Sequence, residues 1–416
     1  MSLFPPNPPR SQVAAIAARR QVHQAFAWLH ANPKTILDWQ LALVSIPAPP
    51  FGEAARSAWM ADRFLEAGLD DIAIDSIGNV FATLPAAQLP PDATGPVVLL
   101  SAHLDTVFPA ETTLNPSLDG DLLTCPGATD NAAGVVGMLA IANALRQSQI
   151  VLPAPLLFCG NVGEEGEGDL RGVRHIYATN PIAERIAVHI VLDGAGHDSA
   201  VSQALGSLRF EVLIEGPGGH SFTDFGTPNP IAALSAALAT LAGTPLPDQP
   251  RTTLNLGTIH GGTSVNSIPQ TARAAVDFRS TSPDELIRLE VALHRAVEDS
   301  VAAINQKSPA TSRGPLRYQI SKIGDRPAAA LPAESPLLVT LRAVDRHLNI
   351  RTDLRLGSTD ANIPLSLGVP SLSLGAGGEG AGAHTLAEWY SAANRELGLR
   401  RILLLALAML DHAAGQ

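Results

Sequence analysis

Residues 155–159 form a continuous apolar run that reads as a buried strand. Beyond it the chain reaches two adjacent carboxylates, Glu164-Glu165, followed by the turn-forming glycines Gly166 and Gly168. Carboxylates at the end of a buried strand are costly unless a cation neutralises them. The pattern recurs. Residues 97–102 are apolar and end in His103-Leu104-Asp105, residues 188–192 end in Asp193, and residues 369–374 precede a glycine-rich loop that carries His384. Unbroken apolar strands are those covered on both faces. Helical stretches lie between them, at residues 132–146 for instance. Such alternation predicts an α/β fold with a mostly parallel sheet flanked by helices.

A chain of 416 residues exceeds one ordinary core, so two domains are expected. The first helical material spans residues 11–47 and is broken at Pro33. The pattern changes near Gly206, where residues 207–215 alternate apolar and polar side chains as a half-solvated strand does. A helix (230–242), two strands (252–259 and 271–279), a helix (283–304) and a strand (316–323) follow. That order is the split βαβ, ferredoxin-like α+β sandwich. From residue 325 the α/β character resumes, with a helix at 335–348 and a C-terminal helix expected over 388–411. The expected division is a discontinuous catalytic domain, residues 1–205 and 325–416, with an inserted lid or dimerisation domain at 206–324. The inserted sheet leaves an edge strand that could join a second copy's, so a homodimer is suggested, with a monomer as the alternative.

The formal charge of −11 argues against nucleic acid or an anionic membrane as the main partner. Two cysteines make no disulfide framework: Cys159 reads as a core thiol, and Cys125 as packing or a neighbour of the site. No apolar run is long enough to span a membrane. The first ten residues carry four prolines and no apolar core of a signal peptide, so a soluble cytoplasmic protein is the expectation.

In open α/β sheets the site lies at the carboxyl ends of the strands, where His103, Asp105, Glu164, Glu165, Asp193 and His384 all fall. In an extended segment residues 103 and 105 point the same way, which suits a metal-ligating histidine and the carboxylate that fixes its tautomer. Asp130 stands at a helix start after Gly127. Singly, each has a plainer reading as a structural histidine, an N-cap or a turn residue. Together, so many carboxylates would repel one another without a cation. Mixed histidine and carboxylate donors suit zinc, and less often manganese or cobalt.

The runs His103-Leu104-Asp105-Thr106-Val107-Phe108-Pro109, Gly163-Glu164-Glu165-Gly166, Val191-Leu192-Asp193-Gly194 and Gly218-Gly219-His220-Ser221 resemble the co-catalytic di-zinc exopeptidases. That family includes peptidase T, glutamate carboxypeptidase, acetylornithine deacetylase and the aminoacylases. The resemblance implies two zinc ions bridged by Asp130, one completed by His103 and Asp193, the other by Glu165 and His384. It implies Asp105 as the orienting partner of His103 and Glu164 as general base. His220 would reach the substrate carbonyl, in this family often across a dimer interface, while Asn266 and Arg279 match substrate-holding positions. Asp360, in Ser358-Thr359-Asp360-Ala361-Asn362, matches a loop near the pocket. One departure stands out: the family commonly has Asp-Asp-Lys around the bridging carboxylate, whereas this chain has Thr129-Asp130-Asn131. The implied activity is hydrolysis of an amide bond in a di- or tripeptide, with N-acyl amino acid deacylation or carboxypeptidase action as the alternatives. An inactive metal-binding relative would lack the base, and Glu164 is present. A di-metal phosphoesterase would want a phosphate-cradling loop, which the sequence does not display.

Overall fold

The computed structural model describes residues 9–86, 95–309 and 312–415; most of the proline-rich start (1–8) lies outside them. The chain divides into two compact units, residues 1–204 with 330–416, and residues 205–329.

The first unit is built on a mixed sheet. Its centre is parallel: Val97–His103 pairs with Leu156–Asn161 on one side and Ile186–Leu192 on the other, and Ser371–Leu374 continues alongside Ile186–Leu192. The antiparallel strands Val80–Leu84 and Asp70–Ile74 extend one edge. All residues of Val97–His103, Leu156–Asn161 and Ser371–Leu374 are buried, as expected of strands covered on both faces. Ala132–Ser148 is apolar almost all round and correspondingly buried, and its small residues allow the close approach that Gly137 makes to Ala376. Asn131 caps this helix, its side chain accepting the Gly134 amide at 3.1 Å.

The second unit has a four-stranded antiparallel sheet in the order Thr252–Gly261, Thr271–Ser280, Gly206–Glu215, Arg317–Arg326. The helices Pro230–Ala242 and Pro283–Lys307 complete the β-α-β-β-α-β order. Leu208, Phe210, Val212 and Ile214 of the first strand are buried while Glu211 and Glu215 are exposed, so the period-two pattern places one face on the core. Phe210 and Phe278 meet there at 5.8 Å between ring centres, each burial contributing about 1.5–3 kcal/mol.

The expected C-terminal helix over 388–411 needs correction. Trp389–Ser391 is a strand paired with Leu122–Thr124, and the helix is Arg395–Ala413. Glu388 does not start a helix because its carboxylate is turned into the protein, against the loop before Asn131. The helix Ala54–Glu66 and the strands Asp70–Ile74, Val80–Leu84, Ser199–Ala204 and Asp353–Gly357 were absent from the sequence reading. Asp70–Ile74 is largely exposed, so no apolar pattern marks it.

Candidate metal centre

The strand ends of the first unit bring the expected donors together. His103, buried at the end of its strand, places Nε2 3.0 Å from Asp130 Oδ1 and 3.8 Å from Asp193 Oδ1. His384 Nε2 lies 3.1 Å from Asp130 Oδ2 and 2.9 Å from Glu165 Oε1. The two oxygens of Asp130 therefore face two different imidazoles. Three groups of three donors result among the described residues, His103–Asp130–Asp193, Asp130–Glu165–His384 and His103–Glu164–Glu165, each with ligand atoms within 4.8 Å of one another, and Asp130 belongs to the first two. Neutral imidazole and carboxylate in sets of three leave room for a further ligand, which is the donor chemistry of an open, catalytic divalent-metal site. The residues present fit a pair of such ions.

The electrostatics agree. Burial disfavours charge on His103, but Asp105, Asp130 and Asp193 outweigh it and raise its pKa well above the ordinary value. His384 is raised to about 9, first by its hydrogen bond to Asp130. Burial raises Glu165 to about 7, with Asp130 adding repulsion. Asp130 is held well below the usual carboxylate range, since the two imidazoles overcome its burial.

Around the donors, Asp105 is fully buried and accepts the amides of Glu164 (3.0 Å) and Glu165 (2.8 Å) through its two oxygens. His103 Nδ1 lies 3.1 Å from the Asp105 carbonyl and 3.6 Å from its carboxylate, so the residue steadies the ring chiefly through its backbone. Gly163, before the carboxylate pair, has φ +65°, and a Cβ there would meet Arg171 at 2.5 Å. Asn131 accepts the Gly194 amide at 3.0 Å and donates to the Leu192 carbonyl at 2.9 Å, which ties the Asp130 loop to the Asp193 turn. The departure at Thr129-Asp130-Asn131 therefore leaves a firmly held carboxylate. Asp360 is fully buried, with Asn161 Nδ2 donating to it at 2.6 Å, and burial raises its pKa to about 6.

Three neighbours escaped the sequence reading. Glu388 accepts three amides of the Asp130 loop. Gln40 donates to the Ala128 carbonyl at 2.7 Å. Arg56, fully buried, donates to the Leu104 carbonyl at 2.9 Å, and burial lowers its pKa to about 10 against the pull of Asp105. A cation at a buried position of the helix Ala54–Glu66 was the one available signal, and only for Arg56.

His220 and Asn266 lie in the second unit and adjoin each other: the Ser221 amide donates to the Asn266 carbonyl at 3.0 Å, and Gly219–His220 pairs with Ser267–Ile268. Arg279 is elsewhere. Its Nε donates to Asp277 at 2.8 Å, and it stands opposite Ser207, whereas Thr271 stands opposite Glu215. Eight residues of strand, roughly 26 Å, separate the two ends of that pairing. His260 is on the exposed strand Thr252–Gly261, and His197 is in none of the donor groups found among the described residues.

The fold thus gathers at its strand ends donors that fit divalent metal ions. The chain belongs to the peptidase family M20/M25/M40, whose family model matches residues 99–408. A probable carboxypeptidase of Neosartorya fischeri is 30% identical over 298 residues, 65% of this chain and 66% of that one; the chain thus spans just under two thirds of that relative's length. The aminopeptidase PepT of Bacillus cereus superposes with a TM-score of 0.71 at 19% identity, over 91% of this chain and 99% of the other. A dinuclear metal-binding peptidase of Bacillus subtilis gives 0.66 at 16% identity, over 92% and 99%. These likenesses establish the shared fold. Among the described residues no helix is long and apolar enough to cross a membrane.

Proposed function

We propose that the protein hydrolyses amide bonds in small peptides as a di- or tripeptide exopeptidase, with two zinc ions held by His103, Asp130, Asp193, Glu165 and His384. The observation that carries this reading is the sharing of Asp130 between two three-donor groups. Bound ions would polarise the scissile carbonyl and lower the pKa of water. Glu164, buried beside the cluster, takes a proton from the attacking water on its carboxylate and passes it to the leaving nitrogen. Asp105 aims that carboxylate by fixing the Glu164 and Glu165 amides. An imidazole from His220 stabilises the developing oxyanion, and Asn266, which adjoins it, holds the substrate; Arg279, engaged with Asp277 at the other end of the strand pairing, has no part in this reading.

Dimerisation through the second unit belongs to the same reading. Thr252–Gly261 is an edge strand with exposed Leu256 and Ile259, a surface suited to pairing with a second copy. A cytoplasmic location is also part of it and agrees with two free, buried thiols, Cys125 and Cys159.

Carboxypeptidase action is the second reading, favoured by the name of the 30%-identical relative. Di- and tripeptides with free or blocked termini, and N-acyl amino acids, assayed with zinc, manganese and cobalt, decide between them. Turnover that requires a free amino terminus supports the first. Turnover of amino-blocked peptides that requires a free carboxylate supports carboxypeptidase or deacylase action. No release from any substrate by protein loaded with two ions overturns both.

A further inference from the structure

Glu388 is a fully buried carboxylate that nothing in the proposed chemistry uses. Its Oε2 accepts the Gly127 amide at 2.7 Å; its Oε1 accepts those of Thr129 at 2.7 Å and Asp130 at 2.8 Å. Its own carbonyl accepts the Cys125 amide at 3.1 Å, and Thr129 Oγ1 donates to the Trp389 carbonyl at 2.8 Å. Residues 125–130 are thus fastened to residues 388–389 along their length. The fastening residue sits in the turn that carries His384: the Glu388 amide donates to the Thr385 carbonyl, and the Thr385 amide to the Gly382 carbonyl. One side chain therefore joins two segments, distant in sequence, that supply the shared carboxylate and one of its imidazole neighbours.

We infer that Glu388 is a positioning residue for the metal centre: by accepting the amides of Gly127, Thr129 and Asp130 it holds the Asp130 carboxylate midway between His103 and His384. The geometry it maintains is the 3.0 Å and 3.1 Å spacing of the two Asp130 oxygens from the two rings. Small rotations of the loop would lengthen one spacing as they shorten the other, so a dinuclear site demands this clamp more than a mononuclear one. Glu388 touches neither donor atom nor substrate and acts only through the backbone. The inference rests on the two-ion reading above.

Cobalt(II) titration of the metal-free full-length chain, followed by absorption and by metal analysis, tests it. The wild type is expected to take up two ions. In Glu388→Gln the amide nitrogen must face an N–H on one side, so the clamp is half lost. The weaker-binding ion is expected to lose about 10- to 100-fold in affinity, the range typical of outer partners of metal ligands, with kcat falling similarly and KM changing by less than about threefold. Thr129→Val removes only the tie to Trp389 and keeps the inference testable should Glu388→Gln not fold; it is expected to shift the same titration in the same direction, by less. Asp345→Asn, which breaks a buried ion pair with Arg401 elsewhere in the unit, is the control: it should lower Tm and leave the titration unchanged. Wild-type titration curves in both Glu388→Gln and Thr129→Val would overturn the inference alone. So would a Glu388→Gln variant that, like the control, loses Tm and nothing else. Uptake of fewer than two ions by the wild type would overturn the two-ion reading as well.

Discussion

Asp105 accepts the backbone amides of Glu164 and Glu165 through its two carboxylate oxygens, at 3.0 and 2.8 Å. His103 meets its carbonyl more closely than its carboxylate. The charged end thus fixes the proposed base Glu164 and the proposed ligand Glu165 through their amides, and the peptide backbone steadies the imidazole. Its pKa lies below the ordinary value because His103 and the two amides outweigh burial. Asp105→Asn retains one acceptor oxygen and turns an NH2 group toward the other amide. The expected result is a fall in kcat of about 10- to 100-fold, with His103 still able to bind its ion. Steady-state kinetics with metal analysis checks this; loss of metal at unchanged turnover per bound ion would reassign Asp105 to the histidine.

Removing the ions should weaken the fold as well as the activity. Asp130, Asp193 and Glu165 crowd around two imidazoles, and a cation that binds only the native state stabilises it by mass action. At a hundred times the dissociation constant that is about 2.7 kcal/mol, a Tm change of a few degrees for a chain of this size. Calorimetry before and after chelation measures it. An unchanged Tm would mean that no ion had been bound.

How much of this could be read from the sequence depended on cost. Carboxylates and histidines after unbroken apolar runs are expensive, which made His103, Glu164, Glu165, Asp193 and His384 stand out. The alternating strand at 206–215 was equally legible, because one covered face imposes period two. Glu388 was not. A lone carboxylate ahead of Trp389 and a long apolar stretch looks like a helix start, and its inward turn is dictated by amides of residues 127–130, far away in sequence. Arg279 shows the converse limit. Its motif was visible, but only strand register places it opposite Ser207, at the other end of the strand from Glu215.

His189 predicts an acid limit that is independent of metal. It is fully buried between Ser101 Oγ at 2.8 Å and the Tyr177 hydroxyl at 3.1 Å, and burial lowers its pKa to about 3. The unfolded chain protonates this ring near pH 6.5 and the folded one does not until near pH 3. Its contribution to stability is therefore intact above about pH 6.5 and is lost as pH falls toward 3, with a slope approaching about 1.4 kcal/mol per pH unit. Buried Glu165 and Asp360, raised to about 7 and about 6, contribute with the opposite sign over this range, so the test is the difference. Urea unfolding of metal-free protein between pH 7 and 4 should lose stability toward acid more steeply in wild type than in His189→Gln, by up to this slope. An equal slope in the variant would assign the acid sensitivity to other groups.

The placement of His220 makes a prediction about which subunit completes which site. The second unit joins the rest of the chain at residues 204/205 and 329/330, beside Ser207 and Arg326, which pair with each other at one end of the sheet. His220 lies past Glu215, the opposite end of the same strand, roughly 26 Å away at 3.3 Å per residue. Its ring is exposed and accepts the Phe222 and Thr223 amides through Nδ1, which leaves Nε2 outward. On the proposed reading this imidazole serves the site of a second copy. Glu164→Gln and His220→Ala should each be nearly inactive as purified homodimers. Unfolded together and refolded as a 1:1 mixture, half the dimers are mixed, and in each of these one site has both an intact Glu164 and a partner's intact His220. Activity should return to about a quarter of wild type. If His220 serves its own chain, every site in the mixture still lacks one of the two groups, and activity stays at the level of the single variants.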